Sequence, residues 1–262
     1  MTTRYPQERT LPPQGFRGAP EIRVGRPFAS LAPPSVCPSG AITATEDAKG
    51  RRYTIDLARC IFCGRCEESP PDGAIEIGRG FELAAHKRED LLLQVTCGAE
   101  SRIAAPAATA GLPERVASRI RRTLRRSLHL RHLDSGSCNA CDWELTALLN
   151  PSYDVRRLGI DFVASPRHAD GVIVTGPVTR NLELAVMRTY AAVPAPRIVI
   201  AVGACASSGG IVGQSYASAG GVGEVLPVDV FIPGCPPRPE AILFGIMVAV
   251  GRLDARRRGS SG

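Results

Sequence analysis

Apolar runs and mixed stretches alternate along the second half of the chain. Short β-rich runs fall at residues 128–133, 155–160, 171–175, 197–202 and 228–232, with helical stretches such as 181–192 and 239–252 between them. Strands alternating with helices predict an α/β domain, 127–255, built on a doubly wound parallel sheet. The pattern upstream is different. Residues 53–56 and 74–77 read as strands entering and leaving a polar loop, so residues 32–95 form a small α+β unit. Residues 1–31, rich in Pro, Gly and Arg, read as an extended arm. An Ala-rich stretch with one Pro, 104–111, marks the boundary between the two units. No apolar run approaches the ~18 residues of a membrane span, and the most apolar stretch, 241–250, fits a buried helix.

Cysteine placement gives the pattern a purpose. In the small unit the run Cys60-Ile-Phe-Cys63-Gly-Arg-Cys66 is joined by a remote Cys37-Pro38. Bacterial two-cluster ferredoxins repeat C-x2-C-x2-C-x3-C-P, and the fourth cysteine of each run ligates the other run's cluster. Here Cys37-Pro38-Ser39-Gly40-Ala41-Ile42 aligns with Pro70-Pro71-Asp72-Gly73-Ala74-Ile75, 33 residues later. Counting back by that spacing lands on Pro27, Ser30 and Pro33, and Pro70 stands where the second half needs its own fourth cysteine. One complete cluster site has been erased and the other kept, which predicts a 4Fe-4S cluster on Cys37, Cys60, Cys63 and Cys66. A zinc site or unliganded thiols are the alternatives; zinc motifs normally supply cysteines as separated pairs.

The second set is Cys138, Cys141, Cys205 and Cys235. Cys138 and Cys141 follow the first predicted strand of the α/β domain, Cys205 the fourth and Cys235 the fifth. All four therefore gather at the carboxyl edge of the sheet, where open α/β folds place their ligands. Gly136, Gly203 and Gly234, each one or two residues before a cysteine, would let backbone approach a second 4Fe-4S cluster and aim N–H groups at its sulfurs. The competing reading is four buried structural cysteines.

Charge and composition narrow the partners. The chain has 262 residues, 44% of them apolar, and a formal net charge of +7. Residues 96–132 carry +6 of that excess. Val116, Ile120, Leu124 and Leu128 recur every four residues among Arg115, Arg119, Arg121, Arg122, Arg125 and Arg126, which predicts a basic amphipathic linker helix at 96–126. It is a solvated linker, or it meets an anionic membrane surface or an acidic partner subunit. Nucleic acid is excluded as a partner: aromatics are 5% of the chain and no zinc-finger or RNA-binding motif accompanies the arginines. The arm has no apolar signal core, so export by the general secretory route is not expected. Nine cysteines in a reducing compartment favour metal ligation over disulfides.

At this point the residues carry a resemblance. Four stretches, Ser127-Leu-His-Leu-Arg-His-Leu-Asp-Ser-Gly-Ser-Cys138-Asn-Ala-Cys141-Asp-Trp-Glu144, Val174-Thr-Gly-Pro-Val-Thr-Arg-Asn181 after Arg167-His-Ala-Asp170, Gly203-Ala-Cys205-Ala, and Pro233-Gly-Cys235-Pro-Pro-Arg-Pro-Glu240, are similar to the small subunit of membrane-bound, energy-converting nickel-iron hydrogenases of the formate hydrogenlyase type. That family is related to the 20-kDa subunit of respiratory complex I. The resemblance implies a flavodoxin-like sheet and a 4Fe-4S cluster on Cys138, Cys141, Cys205 and Cys235, next to the active site of a separate large subunit. The complex I subunit has adjacent cysteines where this chain has Cys138-x-x-Cys141, which favours the hydrogenase branch. The N-terminal unit resembles the ferredoxin-like subunit of the same complexes, fused here and short of one cluster.

The chain is thus expected to be a non-catalytic, electron-relay oxidoreductase subunit with two 4Fe-4S clusters. Its implied partners are a nickel-iron large subunit, membrane-arm subunits and a possible soluble electron donor, at the cytoplasmic face of the inner membrane through the complex. A nickel-free, quinone-reducing complex would use the same fold. Glu144, three residues after Cys141 in the first turn of a predicted helix 141–149, either complements the helix dipole or, by the resemblance, relays protons. Cys97 has no partner left and reads as a buried or incidental thiol. His86, His129, His132 and His168 lack ligand spacing, and Gly209-Gly210 and Gly220-Gly221 read as loop glycines without a phosphate-binding fingerprint.

Overall fold

A computed structural model of the chain describes residues 2–8, 11–23, 31–47, 50–70, 73–97, 102–104 and 127–259. Its N-terminal elements are strands β1 (Pro20–Ile22), β2 (Ile42–Asp47) and β3 (Gly50–Asp56), helix α1 (Arg65–Glu68), and strands β4 (Ile75–Ile77), β5 (Leu92–Cys97) and β6 (Arg102–Ala104). β2, β3, β5 and β6 form an antiparallel sheet in that order, and β1 pairs antiparallel with β4. Alternation decides which face is dry. Tyr53 and Ile55 of β3 and Leu93 and Val95 of β5 are buried together with Ile42 and Leu57. The duplication read from the sequence is visible in the backbone. Gly40 N–H donates to Cys37 O (3.2 Å), and 33 residues on Gly73 N–H donates to Pro70 O (2.9 Å), the same hydrogen bond at the two aligned positions.

The sheet continues past residue 95, where the unit was expected to end, because β6 returns to pair with β5. The amphipathic pattern expected to form a linker helix lies, apart from Leu128, at residues 105–126, outside the described residues.

The C-terminal elements are β7 (Leu128–Asp134), α2 (Ala140–Ala147), β8 (Ile160–Phe162), β9 (Gly171–Thr175), β10 (Val178–Thr179), α3 (Arg180–Ala192), β11 (Ile198–Val202), α4 (Gly203–Ser208), β12 (Ser218–Gly220), β13 (Val230–Ile232) and α5 (Pro239–Gly259). Five strands run parallel in the order β8-β7-β9-β11-β13, the doubly wound order expected. Every residue of β9 and β11 is buried, as a sheet covered on both faces requires. α5 covers one face, and all its residues from 241 to 250 are buried. No described helix is long and apolar enough to cross a membrane.

One predicted strand is corrected. Residues 155–158 form a 3-10 turn, with Val155 and Leu158 both buried, and the strand begins only at Ile160. Three-residue apolar spacing puts those two side chains on one face of a 3-10 turn, and Gly159 ends it at φ 77.

The N-terminal arm is a strap more than a tail. Tyr5 is 1% exposed within the core of the parallel sheet, its hydroxyl donating to Glu82 Oε1 at 3.0 Å. Thr3 N–H donates to Ser152 O, and Arg157 Nη2 donates to the carbonyls of Thr3 and Tyr5. Residues 81–85 then tie the small unit to the sheet. Ala85 and Phe231 exchange both backbone hydrogen bonds at the β13 edge, and the two interiors are continuous around Ala85 and Phe231.

Candidate metal centres

The first set of thiols lines a single cavity. Cys60, Cys63 and Cys66 come from the loop between β3 and α1 and from α1 itself, and Cys37 from the turn before β2; Phe62 and Gly64 between them take positive φ (55 and 83), which wraps the loop tightly. Backbone donors point at two sulfurs: Ala41 N–H at Cys37 Sγ (3.2 Å) and Phe62 N–H at Cys60 Sγ (3.3 Å). Burial, then the thiols of Cys66, Cys37 and Cys63 against the Phe62 N–H, push Cys60 up to about 12. Burial and then Cys63 push Cys66 up to about 11. Cys37 is the exception. Burial raises it, but the Ser39 hydroxyl and the N–H groups of Ala41, Ser39 and Ile42 together hold it below its usual range.

The second set converges as the topology requires. Cys138 precedes α2 and Cys141 lies in its first turn, Cys205 is in α4 directly after β11, and Cys235 follows β13. Cys141 is buried and its thiol is raised by burial first, then by Cys205, Cys235 and Cys138. Burial followed by Cys235 and Cys138 raises Cys205, and burial followed by Cys138 raises Cys235. Cys138 and Cys235 are exposed to solvent.

The three expected glycines divide by role. A Cβ on Gly203 (φ +88) would stand 2.6 Å from Cys141 Sγ, so close approach to a ligand thiol needs glycine there. Gly136 (φ +113) instead makes room for Thr179, and Gly234 (φ +146) turns the chain against Pro237, where a Cβ would meet backbone at 2.5 Å. Gly210, read as a plain loop glycine, also touches the site: its Cβ would lie 3.0 Å from Cys205 Sγ.

Two polar groups lie around the second set. Asp142, beside Cys141, accepts from Thr175 Oγ1 (2.6 Å) and Ser137 Oγ and stands 2.8 Å from His132 Nε2. This network ties the Cys138 loop to β7 and β9. Asp142, and not Glu144, occupies the first turn of α2, because the helix starts at Ala140. Glu144 belongs to a different group, with Tyr153, Glu240 and Arg238. Its carboxyl is held above the ordinary range by burial first and Glu240 second, against Arg238. Arg238 makes two 2.7 Å bonds to the 1% exposed Glu240, with the rings of Phe16 and Phe81 5.3 and 5.1 Å away. Only their positions beside Cys235 could have flagged these residues.

A second cavity lies between the first cysteine loop and Cys235. It is lined by Ile61 and Phe62 of the first cysteine loop, by Phe16 and Arg17 of the strap, and by Cys235 and Arg238 of the second. Exposed apolar residues follow two of the second set's cysteines in the chain. Trp143, two residues after Cys141, is 74% exposed, and Ile211, Val212 and Tyr216 follow the loop of Cys205.

A parallel doubly wound sheet that gathers four thiols from three carboxyl-edge loops defines a class of electron-carrying α/β subunits. Residues 138–249, which contain all four, match the family described as NADH ubiquinone oxidoreductase, 20 Kd subunit, and the chain belongs to that family. It is 48% identical over 128 residues to a probable membrane-bound hydrogenase subunit, mbhJ, of Pyrococcus furiosus, a match that covers 49% of this chain and 77% of that one. Formate hydrogenlyase subunit 7 of Escherichia coli is 44% identical over 133 residues, 51% of this chain and 52% of that protein. An NADH-quinone oxidoreductase subunit of Geotalea daltonii is 45% identical over 117 residues, 45% of this chain and 68% of that protein. The chain is therefore an oxidoreductase subunit of a family that carries electrons and binds an iron–sulfur cluster.

Proposed function

We propose that this chain relays electrons through two 4Fe-4S clusters to the nickel-iron site of a partner large subunit, in dihydrogen oxidation or proton reduction. The observation that carries the reading is the pair of four-thiol sets, the first lining its own cavity and the second reaching, through Cys235, a cavity that Ile61 and Phe62 of the first cysteine loop also line. Cys37, Cys60, Cys63 and Cys66 would hold one cluster, and Cys138, Cys141, Cys205 and Cys235 the other.

The residues fit such a group. Buried thiols that raise one another's affinity for protons become thiolates when a cation shares their charge. Among the described residues three buried guanidinium N–H groups lack a hydrogen-bond partner, and two of them, Arg59 Nε and Arg238 Nη1, belong to residues beside Cys60 and near Cys235, where an anionic cluster would be stabilised. When bound, each cluster supplies a one-electron store whose potential follows net charge, hydrogen bonds to sulfur and exposure.

The chain's own residues provide the rest. The loop of the first site and the strap line the cavity beside Cys235. Trp143, Ile211, Val212 and Tyr216 would dock the large subunit over Cys138 and Cys235. Glu144, inclined to hold a proton, would move protons at that interface. Membrane-arm subunits would bring the complex to the cytoplasmic face of the inner membrane, and a soluble donor would meet the N-terminal unit.

A second reading, a nickel-free quinone oxidoreductase of the complex I type, is favoured by the 45% identity to the NADH-quinone oxidoreductase subunit of Geotalea daltonii. Anaerobically purified protein is expected to hold about eight irons, with Cys37→Ala losing about half. With its large subunit it is expected to turn over dihydrogen with a redox dye, and Cys235→Ser to abolish that turnover. About twelve irons, or zinc in place of iron, would sink the two-cluster assignment; quinone reduction by a nickel-free complex would establish the second reading.

A further inference from the structure

The strap crosses the space between the two cysteine sites, and its residues 16–18 are fixed on both flanks. Gly18 N–H donates to Gly78 O (2.9 Å) and Ala19 N–H to Gly80 O (3.2 Å), and a Cβ on Gly18 would stand 2.5 Å from Gly80 O. On the other flank the Phe16 ring lies against the Arg238 guanidinium. Arg17 is held between them. Its Nη1 donates to the carbonyl of Cys63 at 2.7 Å, and its guanidinium lies over Gly64, where a Cβ would be 3.6 Å from Arg17 Nε.

We infer that Arg17 is a positioning residue that raises the reduction potential of the first site; the inference rests on the reading that Cys37, Cys60, Cys63 and Cys66 hold a cluster. Reduction adds one negative charge to a group already bound by four thiolates. A cation pinned to the ligand loop favours that reduced form, since net charge is one of the protein's controls on cluster potential. Arg59, whose buried Nε lies beside Cys60, is another cation of this site and is unchanged in every variant below. Arg65 lines the same cavity, but it is exposed and among the described residues no side-chain bond fixes it. Glu67 lies on the acidic side of the balance, acting on Cys66 while it accepts from Ile77 N–H. Arg17 is itself exposed, so solvent screens its effect to the modest scale of a surface ion pair.

The test is an anaerobic redox titration of the full chain in its complex, followed by the electron paramagnetic resonance of each site. Arg17→Gln keeps a donor for the Cys63 carbonyl and removes the charge. It is expected to lower the reduced fraction of the first site about threefold at the wild-type midpoint, the scale of an exposed ion pair, and to leave the second site unmoved. Arg17→Lys should retain the wild-type midpoint, and Arg65→Gln should shift it less. If the Gln variant loses its first cluster, Arg17→Met, whose stem still covers Gly64, carries the same expectation. An unchanged midpoint in a charge-removing variant with both clusters present overturns the role of Arg17. Absence of iron from the first site of the wild-type protein overturns the cluster reading beneath it, and iron content read beforehand tells the two failures apart.

Discussion

Arg238 grips Glu240 with two bonds of 2.7 Å, and Glu240 is almost wholly removed from solvent at the start of α5. The pair sits where the strap, the small unit and the second cysteine loop meet, because Phe16 and Phe81 flank the same guanidinium. Removing one member of a buried pair leaves the other's charge uncompensated. Arg238→Met is expected to cost about 3–5 kcal/mol, and Arg238→Met with Glu240→Leu much less. Denaturant unfolding of the three proteins measures the difference, and equal losses in single and double variants would refute it.

Gly203 is the most exacting position of the second site. Alanine there would place its Cβ against Cys141 Sγ and hold a left-handed backbone at a further cost of about 1–2 kcal/mol. Gly203→Ala should lose the second site's spectrum and about half the iron, with the first site's spectrum intact. Full iron content in the alanine variant would mean that the loop moves aside.

The thiols of the first site give the apoprotein an alkaline limit. Cys60 and Cys66 have folded values pushed to about 12 and about 11 from an ordinary 9.0. Their neutral forms are favoured in the fold, so the stability they contribute is fully present below pH 9 and is lost as pH rises toward 11 to 12. Metal loading reverses the preference, because the thiolate is the ligand. Chemical unfolding of apoprotein and loaded protein between pH 8 and 12 should show the apoprotein weakening first.

Tyr5 measures what the strap is worth. Its ring packs near Phe81 (centroids 5.8 Å apart) inside the core of the parallel sheet. Tyr5→Phe should cost about 0.5–1.5 kcal/mol, the worth of one hydrogen bond, and Tyr5→Ala about 3–5 kcal/mol, as for other large aromatic truncations. Thermal unfolding distinguishes the two, and a negligible effect of Tyr5→Ala would show the strap to be loosely held.

Much of the site was legible in the chain. The duplicated Cys37 and Pro70 turns, and the positions of Cys138, Cys205 and Cys235 just past predicted strands, are local features. Strand–helix alternation alone sends such loops to one sheet edge. Gly203 was legible for the same reason: a glycine just before a ligand leaves a backbone that can approach. Short-range periodicity misled at residues 155–158, where two apolar side chains three apart suit a turn as well as a strand.

By itself the sequence determined the parallel α/β sheet, the division of eight cysteines into two sets and the edge at which the second set gathers, because apolar periodicity and ligand spacing act within a few residues. Only the tertiary structure decided that Tyr5 is a core residue, that Arg17 reaches Cys63 and Phe16 reaches Arg238, and that Asp142 is held by Thr175, Ser137 and His132. These contacts join segments far apart in the chain. They depend on the shape of packed surfaces, and an arm without periodicity carries no signal of the surface it will meet.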